Sequence, residues 1–299
     1  MNAPHAPVKD AVPVGGQTPA PNRFEALARN VGKNLDQWLR MIAPPPPWRM
    51  LKPPLPAIAG TLAALIVIVL SMFFFDTTAS NWARQEPASV RDFFEKVTDF
   101  GLSGWFLYPF GFFILFLAAV ISPDLSRRAR ETLTMLAVRF GFLFLAIGVP
   151  GLFVTIIKRM IGRARPYVGN FDDPFSYMPF IWKSEYASMP SGHSTTAVAA
   201  AIAIGAIWPK SRAVMWLYAA IILVSRVAVL AHHPSDVIAG ALVGTAGACL
   251  VRRWFAARRL GFCPRDLCVY PGPSWLRIRA ALAEVFAKFS LVEPKRDAL

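Results

Sequence analysis

Long apolar runs separated by short polar segments fill the middle of this 299-residue chain. Residues 55–75 and 101–122 contain no charged side chain, and residues 132–157 contain only Arg139. Each run reaches the roughly 20 residues that an α-helix needs to cross a bilayer. The pattern predicts three transmembrane helices, with Arg139 expected to extend its charge to the membrane surface.

Three further apolar runs are shorter and cover residues 194–208, 213–224 and 237–251. They can cross a bilayer only if the polar motifs beside them belong to the same helices. Those motifs are therefore expected at helix ends, near one membrane face. The pattern predicts an all-α fold, a polytopic membrane helix bundle with six transmembrane helices.

Amphipathic helices are predicted on both sides of this bundle. Between Phe24 and Ile42 apolar residues recur every three or four positions, which is typical of one face of a helix. This helix is expected either to lie on the cytoplasmic membrane surface or to pack against the membrane domain. A similar repeat starts at Trp275 and predicts a second helix over residues 274–289.

The chain divides into four parts. Residues 1–22 are rich in Pro, Ala and Gly and are expected to be a disordered tail. Residues 23–54 combine the amphipathic helix with a Pro-rich linker. Residues 55–251 form the six-span domain, and residues 252–299 a basic cytoplasmic tail with a short helix. The first 54 residues lack the apolar core of a signal peptide, so the first span is expected to remain as an uncleaved anchor.

Composition agrees with the membrane class, since 55% of the residues are hydrophobic. A net charge of +14 would also suit a nucleic-acid partner. The basic residues, however, are spread over the segments between spans, where they favour anionic lipid head groups. The expected partners are the membrane and a phosphorylated lipid, with no nucleic acid, and the oligomeric state is open.

Basic residues also predict the orientation. The N-terminal tail holds seven Lys and Arg, and more lie in the second and fourth loops and after the last span. The positive-inside rule then places both termini in the cytoplasm of a bacterial-type inner membrane. The third and fifth loops, which carry the polar motifs, fall on the periplasmic face. The third loop is itself basic, and phosphate binding would explain that exception.

The three cysteines suggest little chemistry. Cys249 lies within a predicted span, and Cys263 and Cys268 follow the last span on the expected cytoplasmic side. Disulfides are rare in that compartment, so free thiols are predicted.

The first polar motif follows the third span and contains Lys158 and Arg165, followed by Pro166. Seven residues are close to two helical turns, so both side chains are expected on one side, where an ammonium and a guanidinium suit phosphate oxygens. Arg159 and Arg163 fall off that side and are expected to bind lipid head groups. Head-group binding is also the alternative for the whole cluster.

The second motif, Pro190-Ser191-Gly192-His193, opens the fourth span. A helix start with Gly directs free backbone N–H groups outward and favours an anion. Ser191 can add a hydroxyl donor, and His193 can protonate a leaving group. The alternative is a capped helix start with an interfacial histidine.

The third motif joins the fifth and sixth spans and contains Arg226, His232 and Asp236. Asp236 can accept the Nδ1 proton of His232 and leave Nε2 free to attack phosphorus. Arg226 supplies a third cation, although it could also be an arginine that reaches for the interface. His233 is expected to point elsewhere and be structural.

Together the motifs resemble the type 2 phosphatidic acid phosphatase family. This family is the membrane lipid-phosphatase branch of a superfamily that includes bacterial acid phosphatases and vanadium haloperoxidases. Its pattern is K-x6-RP, then PSGH, then SR-x5-H-x3-D, and every position and spacing is present here. The matching residues are Lys158, Arg165, Pro166, Pro190, Ser191, Gly192, His193, Ser225, Arg226, His232 and Asp236.

The resemblance implies a role for each site residue. His232 is the nucleophile that becomes a phosphohistidine, Asp236 orients it, and His193 is the general acid. The phosphate oxygens are held by the three cations and by the start of the fourth span. These binding residues are Lys158, Arg165, Ser191, Gly192 and Arg226.

The expected activity is hydrolysis of a lipid phosphomonoester or pyrophosphate, with no metal or other cofactor, because three cations can stabilise the developing charge. Candidate substrates are phosphatidic acid, undecaprenyl pyrophosphate, phosphatidylglycerol phosphate and lipid A. A lipid-linked phosphotransferase and a non-catalytic lipid-binding protein remain as alternatives. Loops at residues 76–100 and 167–189 are expected to determine lipid preference.

Overall fold

The computed structural model describes residues 23–43, 55–168, 173–264 and 267–290. Within these ranges the chain forms ten α-helices connected by turns and loops, without a regular strand. The helices are α1 Arg23–Ile42, α2 Leu55–Phe74, α3 Asp76–Gln85, α4 Ala88–Thr98, α5 Gly104–Val120, α6 Arg127–Ile161, α7 Gly192–Ile207, α8 Arg212–Ala228, α9 Pro234–Ala257 and α10 Trp275–Ser290. The predicted disordered tail, the Pro-rich linker at 44–54 and the last nine residues lie outside the described residues.

Five helical stretches in the described part of the chain are long and apolar enough to cross a membrane. They are Leu55–Phe74, Ala88–Val120, Arg127–Ile161, Pro209–Ala228 and Pro234–Ala257. The remaining predicted span, the fourth along the chain, corresponds to α7, which is apolar but only 16 residues long. The prediction of an all-α multi-pass membrane bundle is confirmed, whereas the count of six spans stays a prediction.

Helix α7 lies at the centre of the bundle and packs against α6, α8 and α9. Its contact with α9 is close because Gly240 and Gly244 of α9 face the α7 backbone. A Cβ on Gly240 would lie 2.4 Å from the carbonyl oxygen of Ser191, and one on Gly244 would lie 2.5 Å from that of Thr195. Small residues spaced by four allow such approach of membrane helices. The contact holds the N-termini of α7 and α9 side by side.

The segment between α2 and α5 was predicted as a loop but forms two helices. Helix α3 contacts α2, α8 and α9, and α4 packs along α8. Asp76 and Ser80 of α3 and Thr98 of α4 are buried. These two polar helices therefore cover the end of the bundle at which α6 ends and α9 begins.

Helix α1 packs against the membrane domain, which was one of the two predicted alternatives. The Asn34 side-chain amide donates to the carbonyl oxygens of Ala118 and Ile121 at the end of α5, both at 2.8 Å. The Trp254 indole donates to the carbonyl oxygen of Ile42 at 3.0 Å. Because these bonds satisfy carbonyls at two helix ends, α1 is a fixed part of the fold.

Helix α10 lies against the start of α6, where Glu284 accepts hydrogen bonds from the backbone N–H and hydroxyl of Ser126 at 2.6 and 2.7 Å. Arg139, predicted to reach the membrane surface, is instead buried. Its Nη2 donates to the carbonyl oxygen of Tyr270 at 2.9 Å, because the chain before α10 folds over it.

The prediction of free thiols was wrong for Cys263 and Cys268, which form a disulfide. The turn after α9 brings their Cα atoms to 5.4 Å, a separation that suits this bond. Cys249 is free.

Candidate active site

Four helix ends meet at the end of the bundle that lies opposite α1 and α10. They are the C-termini of α6 and α8 and the N-termini of α7 and α9. All eight predicted site residues lie on these ends or on the loops next to them. The convergence follows from the packing of α7 against its three neighbours.

Lys158 and Arg165 reach the site by a different path from the predicted one. Helix α6 ends at Ile161, and Gly162 follows with φ of +66°. Only glycine fits there, because a Cβ would lie 1.9 Å from the carbonyl oxygen of Met178. The prediction that both cations share one continuous helical face was therefore wrong, since Arg165 lies beyond the helix end.

The three cations and two imidazoles nevertheless form one group. The charges of Arg226, Arg165 and Lys158 all act on the His193 ring, and the His232 ring interacts with it as well. The charges of Arg226 and Arg165 also act on His232. So many positive groups in one place favour an anion between them.

The second motif forms the N-terminus of α7. Ser191 is its N-cap residue and is fully buried, with its Oγ accepting from the Ser194 hydroxyl at 2.9 Å. A Cβ on Gly192 would meet nothing within 4 Å. The free N–H groups of this helix start therefore border open space, where an anion can bind.

Residues before α5 support His193 and Arg226. A Cβ on Gly101 would lie 3.0 Å from Cδ2 of His193, so the backbone there packs on the ring. Arg226 is buried, with 6% of its surface exposed, and its Nη1 donates to the Thr98 hydroxyl at 2.7 Å. Its Nε has no hydrogen-bond partner among the described residues.

Ser188 lies between His232 and Asp236, the two residues that were predicted to contact each other directly. The Nδ1 atom of His232 is 3.8 Å from Oδ2 of Asp236, which is too far for a hydrogen bond. The Ser188 hydroxyl is 3.5 Å from that Nδ1 and donates to Oδ2 of Asp236 at 2.6 Å. The expected direct contact is thus replaced by one through a hydroxyl that sequence reasoning missed.

Burial keeps His232 neutral. Removal from water lowers the pKa of His232 to about 4, although the neighbouring Asp236 opposes this shift. At neutral pH the imidazole therefore keeps a free lone pair on one nitrogen, as a nucleophile requires.

His233 points away from His232. Its Nδ1 lies 3.2 Å from the Ser80 hydroxyl, and its backbone N–H donates to Oδ2 of Asp236 at 2.9 Å. This geometry gives it a place in the start of α9 and no contact with the open space at Gly192.

The expectation that Arg163 binds lipid head groups was wrong, because this residue is fully buried. Its Nη1 lies 2.6 Å from Oδ1 of Asp236 and its Nη2 lies 2.8 Å from Oδ2 of Asp76. Burial alone lowers the pKa of Arg163, but the charge of Asp236 and the hydrogen bond with Asp76 outweigh it and raise that pKa. A signal was available, since Asp76 directly follows an apolar run and a carboxylate there needs a partner.

Arg159 points elsewhere. Its Nη1 donates to the carbonyl oxygen of Trp182 at 2.8 Å, and its guanidinium lies 5.9 Å from the Trp182 ring centre. In the part of the chain that the structure describes, no group of three or more His, Cys, Asp or Glu side chains is arranged to hold a metal ion.

A helical membrane protein that gathers a neutral histidine, a supported carboxylate and three cations at one end of its bundle is equipped to cleave a phosphate ester. Comparison with known proteins agrees. The profile of the PAP2 superfamily matches residues 139–260. The chain is 38% identical over 196 residues to the lipid A 1-phosphatase of Rhizobium johnstonii, covering 64% of this chain and 78% of that protein.

A second lipid A 1-phosphatase, from Rhizobium etli, is 36% identical over 196 residues, which cover 64% of this chain and 82% of that protein. The chain belongs to the PAP2 superfamily and is a membrane phosphatase. The resemblance predicted from the motifs is thereby confirmed. The crystal structure of a transmembrane PAP2-type phosphatidylglycerolphosphate phosphatase from Bacillus subtilis superposes with a TM-score of 0.42 at 19% identity, over 64% of this chain and 93% of that one.

Proposed function

We propose that this phosphatase removes a phosphate group from a lipid through a phosphohistidine on His232, without a metal ion, at the outer face of a bacterial inner membrane. One observation carries the proposal. A buried, neutral His232, supported through Ser188 by Asp236, lies among three cations at the open N-terminus of α7.

In the first step the lipid phosphate binds between Lys158, Arg165 and Arg226, with the N–H groups at the start of α7 directed at its oxygens. Nε2 of His232 attacks phosphorus, so a P–N bond forms while the ester P–O bond breaks. His193 gives its proton to the departing oxygen, which leaves as an alcohol.

In the second step His193 acts as the base and takes a proton from water. The resulting hydroxide attacks phosphorus, the P–N bond breaks, and inorganic phosphate leaves. Nδ1 of His232 keeps its proton throughout, because the Ser188 hydroxyl and the Asp236 carboxylate behind it favour that tautomer.

Lipid A is the proposed substrate, with the phosphate at its 1 position as the group removed. The support is the name of the two relatives, both lipid A 1-phosphatases, each of which matches 196 residues of this chain. Phosphatidic acid, undecaprenyl pyrophosphate and phosphatidylglycerol phosphate are the comparison substrates.

The outer face is proposed because the site and the basic ends occupy opposite ends of the bundle. Arg252 and Arg253 near the end of α9, and Arg127 at the start of α6, lie at the end that carries α1 and α10. The positive-inside rule assigns that end to the cytoplasm. The Cys263–Cys268 disulfide at the same end argues in the opposite direction, because disulfides are rare in that compartment.

The test is a phosphate-release assay on purified enzyme with EDTA present, using lipid A that carries both phosphates, lipid A that lacks the 1-phosphate, and the comparison substrates. We expect release from the first lipid A only, and none from His232→Ala. Arg159→Ala is the matched control for Lys158→Ala, because Arg159 faces Trp182; the control keeps its activity while Lys158→Ala loses at least about tenfold.

Other outcomes would replace the proposal. Loss of lipid phosphate without free phosphate would indicate transfer to another alcohol. Activity that requires added metal would overturn the metal-free step, and a lack of turnover of every lipid would favour a binding protein.

A further inference from the structure

We propose that Arg163, itself held by Asp76, is a positioning residue that fixes the Asp236 carboxylate behind the nucleophile. The proposal rests on the phosphohistidine mechanism proposed above. Arg163 occupies a variable position between Lys158 and Arg165, Asp76 lies outside the three motifs, and both side chains are completely buried.

Every N–H group of the Arg163 guanidinium donates a hydrogen bond to another group of the protein. Its Nη1 donates to Oδ1 of Asp236 and to the Ser235 hydroxyl, both at 2.6 Å, and its Nη2 donates to Oδ2 of Asp76 at 2.8 Å. Its Nε and Nη2 donate to the carbonyl oxygen of Pro174 at 3.0 and 2.8 Å. With no exposed surface and no free N–H, Arg163 cannot contact the substrate.

Asp76 anchors this guanidinium from the other side. Its Oδ2 accepts from the Ser235 hydroxyl at 2.5 Å, and its Oδ1 accepts from the Ser235 backbone N–H at 3.0 Å and from Ser71 at 3.2 Å. Asp76 thereby links the end of α2 to the first turn of α9. The Arg163 guanidinium, which Asp76 holds, is therefore fixed in position relative to that turn, and Asp236 belongs to the same turn.

The two carboxylate oxygens of Asp236 have different hydrogen-bond partners. Oδ1 faces Arg163, whereas Oδ2 accepts from Ser188 and from the His233 backbone and faces His232. A carboxylate gripped on one oxygen presents its other oxygen in a fixed direction. Arg163 therefore sets the rotation of the carboxylate that supports the nucleophile.

Charge reinforces this geometry. The titratable groups that face Arg163 are Asp236, Asp76 and Tyr177, and those on the other side of Asp236 are His232 and His233. One cation between two carboxylates balances part of their negative charge. The remaining negative charge favours the positive charge that develops on His232 as its Nε2 attacks.

Removing the cation changes the protonation of the carboxylate pair. In Arg163→Met the two buried carboxylates lose the cation that they share, and uptake of a proton replaces part of the lost positive charge. A protonated Asp236 no longer stabilises the phosphohistidine transition state. The variant is therefore least active at low pH and recovers partly as the pH rises and the proton leaves.

The experiment compares kcat, KM and their pH profiles for four variants, from about pH 5 to about pH 9. The variants are Arg163→Met, Arg163→Lys, Asp76→Asn and the double variant Arg163→Met with Asp76→Asn. Rates are given per folded enzyme, with thermal unfolding in detergent as the measure of folding. Arg139→Met is the matched control, since Arg139 is buried at the other end of α6 and its hydrogen bonds go to backbone carbonyls.

For Arg163→Met we expect kcat to fall about 100-fold at neutral pH and KM to stay within about twofold. In the plot of kcat against pH, the fall in rate on the acid side (the acid limb) should move to higher pH. Arg163→Lys keeps the charge but cannot span Asp76 and Asp236, so its kcat falls less and its acid limb stays. The double variant removes one carboxylate with the cation. Its acid limb therefore returns towards that of the wild type, a rescue that a purely structural role does not predict.

The proposal is overturned if folded Arg163→Met keeps the wild-type kcat and pH profile, if its loss lies in KM alone, or if Arg139→Met shifts the acid limb equally. If Arg163→Met does not fold, Arg163→Lys and Asp76→Asn are used to test the proposal. A reduced kcat with an unchanged KM in these two variants supports it, and a wild-type kcat overturns it. His232→Ala separates the two proposals. If it stays active the phosphohistidine mechanism fails, and if it is inactive that mechanism stands whatever the Arg163 variants do.

Discussion

Ser188 shows how much of the chemistry depends on single side chains outside the motifs. It donates to Asp236 and lies 3.5 Å from Nδ1 of His232. A hydroxyl can accept the imidazole proton while it donates its own, so it transmits the effect of the carboxylate across 3.8 Å. In the proposed mechanism the orientation of His232 is therefore shared between Ser188 and Asp236.

Replacement of Ser188 by Ala tests this role. A hydrogen bond to a charged group contributes about 1.5–3 kcal/mol, so we expect kcat to fall roughly 10- to 100-fold with KM nearly unchanged. Single-turnover phosphate release measures the chemical step directly. Ser80→Ala is the control, because Ser80 is also buried but faces His233. Full activity of Ser188→Ala would show that His232 is oriented without the hydroxyl.

The motif residues could be assigned from sequence because residue type and spacing carry their chemistry. Their supporting partners could not, because those partners lie far away along the chain. Arg163 and Asp76 are 87 positions apart, and Arg226 and Thr98 are 128 apart. No local pattern links such pairs, so Arg163 looked like another basic residue of the membrane interface.

Among the elements, the contact between α7 and α9 determines whether the site assembles. The glycines of α9 allow its first turn, with Asp236, to lie beside the cap of α7. The backbone N–H of Ser191 donates to the carbonyl oxygen of Asp236 at 3.0 Å across this contact. The binding motif and the nucleophile motif are thus joined through the backbone.

Gly244→Val tests this packing. Its side chain would collide with the Thr195 carbonyl, and such overpacking costs about 1–3 kcal/mol, so we expect a lower unfolding temperature in detergent and reduced activity. Gly151→Ala in α6 is the control, since a Cβ there meets nothing within 4 Å. Unchanged stability of Gly244→Val would contradict the close contact.

The transmembrane helices were predicted from the lengths of the apolar runs, and α2 matches its predicted run almost residue for residue. Helices α3 and α4 did not follow, because they are short, carry charges and obtain their stability from packing on α8 and α9. Polar residues also extend α6 to Arg127, before its apolar run begins.

At the scale of the whole molecule, the two ends of the helix bundle differ. The site occupies one end, while α1, α10 and the disulfide occupy the other. A phosphatase built in this way acts in one leaflet only, and its orientation decides which lipids it can reach.

Labelling of single cysteines tests the orientation. Ser184→Cys places a thiol in an exposed turn on the site end, and Lys210→Cys places one between α7 and α8 on the other end. We expect an impermeant maleimide to label the first in intact cells and the second only after permeabilisation. The unaltered protein provides the background of the native cysteines. The reverse pattern would place the site in the cytoplasm.

From sequence alone came the membrane class, the all-α bundle and the residues proposed to handle phosphate. All of these depend on local properties, namely apolar length, residue type and spacing. Only the tertiary structure decided that Arg165 lies beyond the helix end, that Ser188 stands between His232 and Asp236, and that Arg163 is buried. The physical reason is that a buried charge or hydroxyl obtains its partner from distant segments, and packing alone brings those segments together.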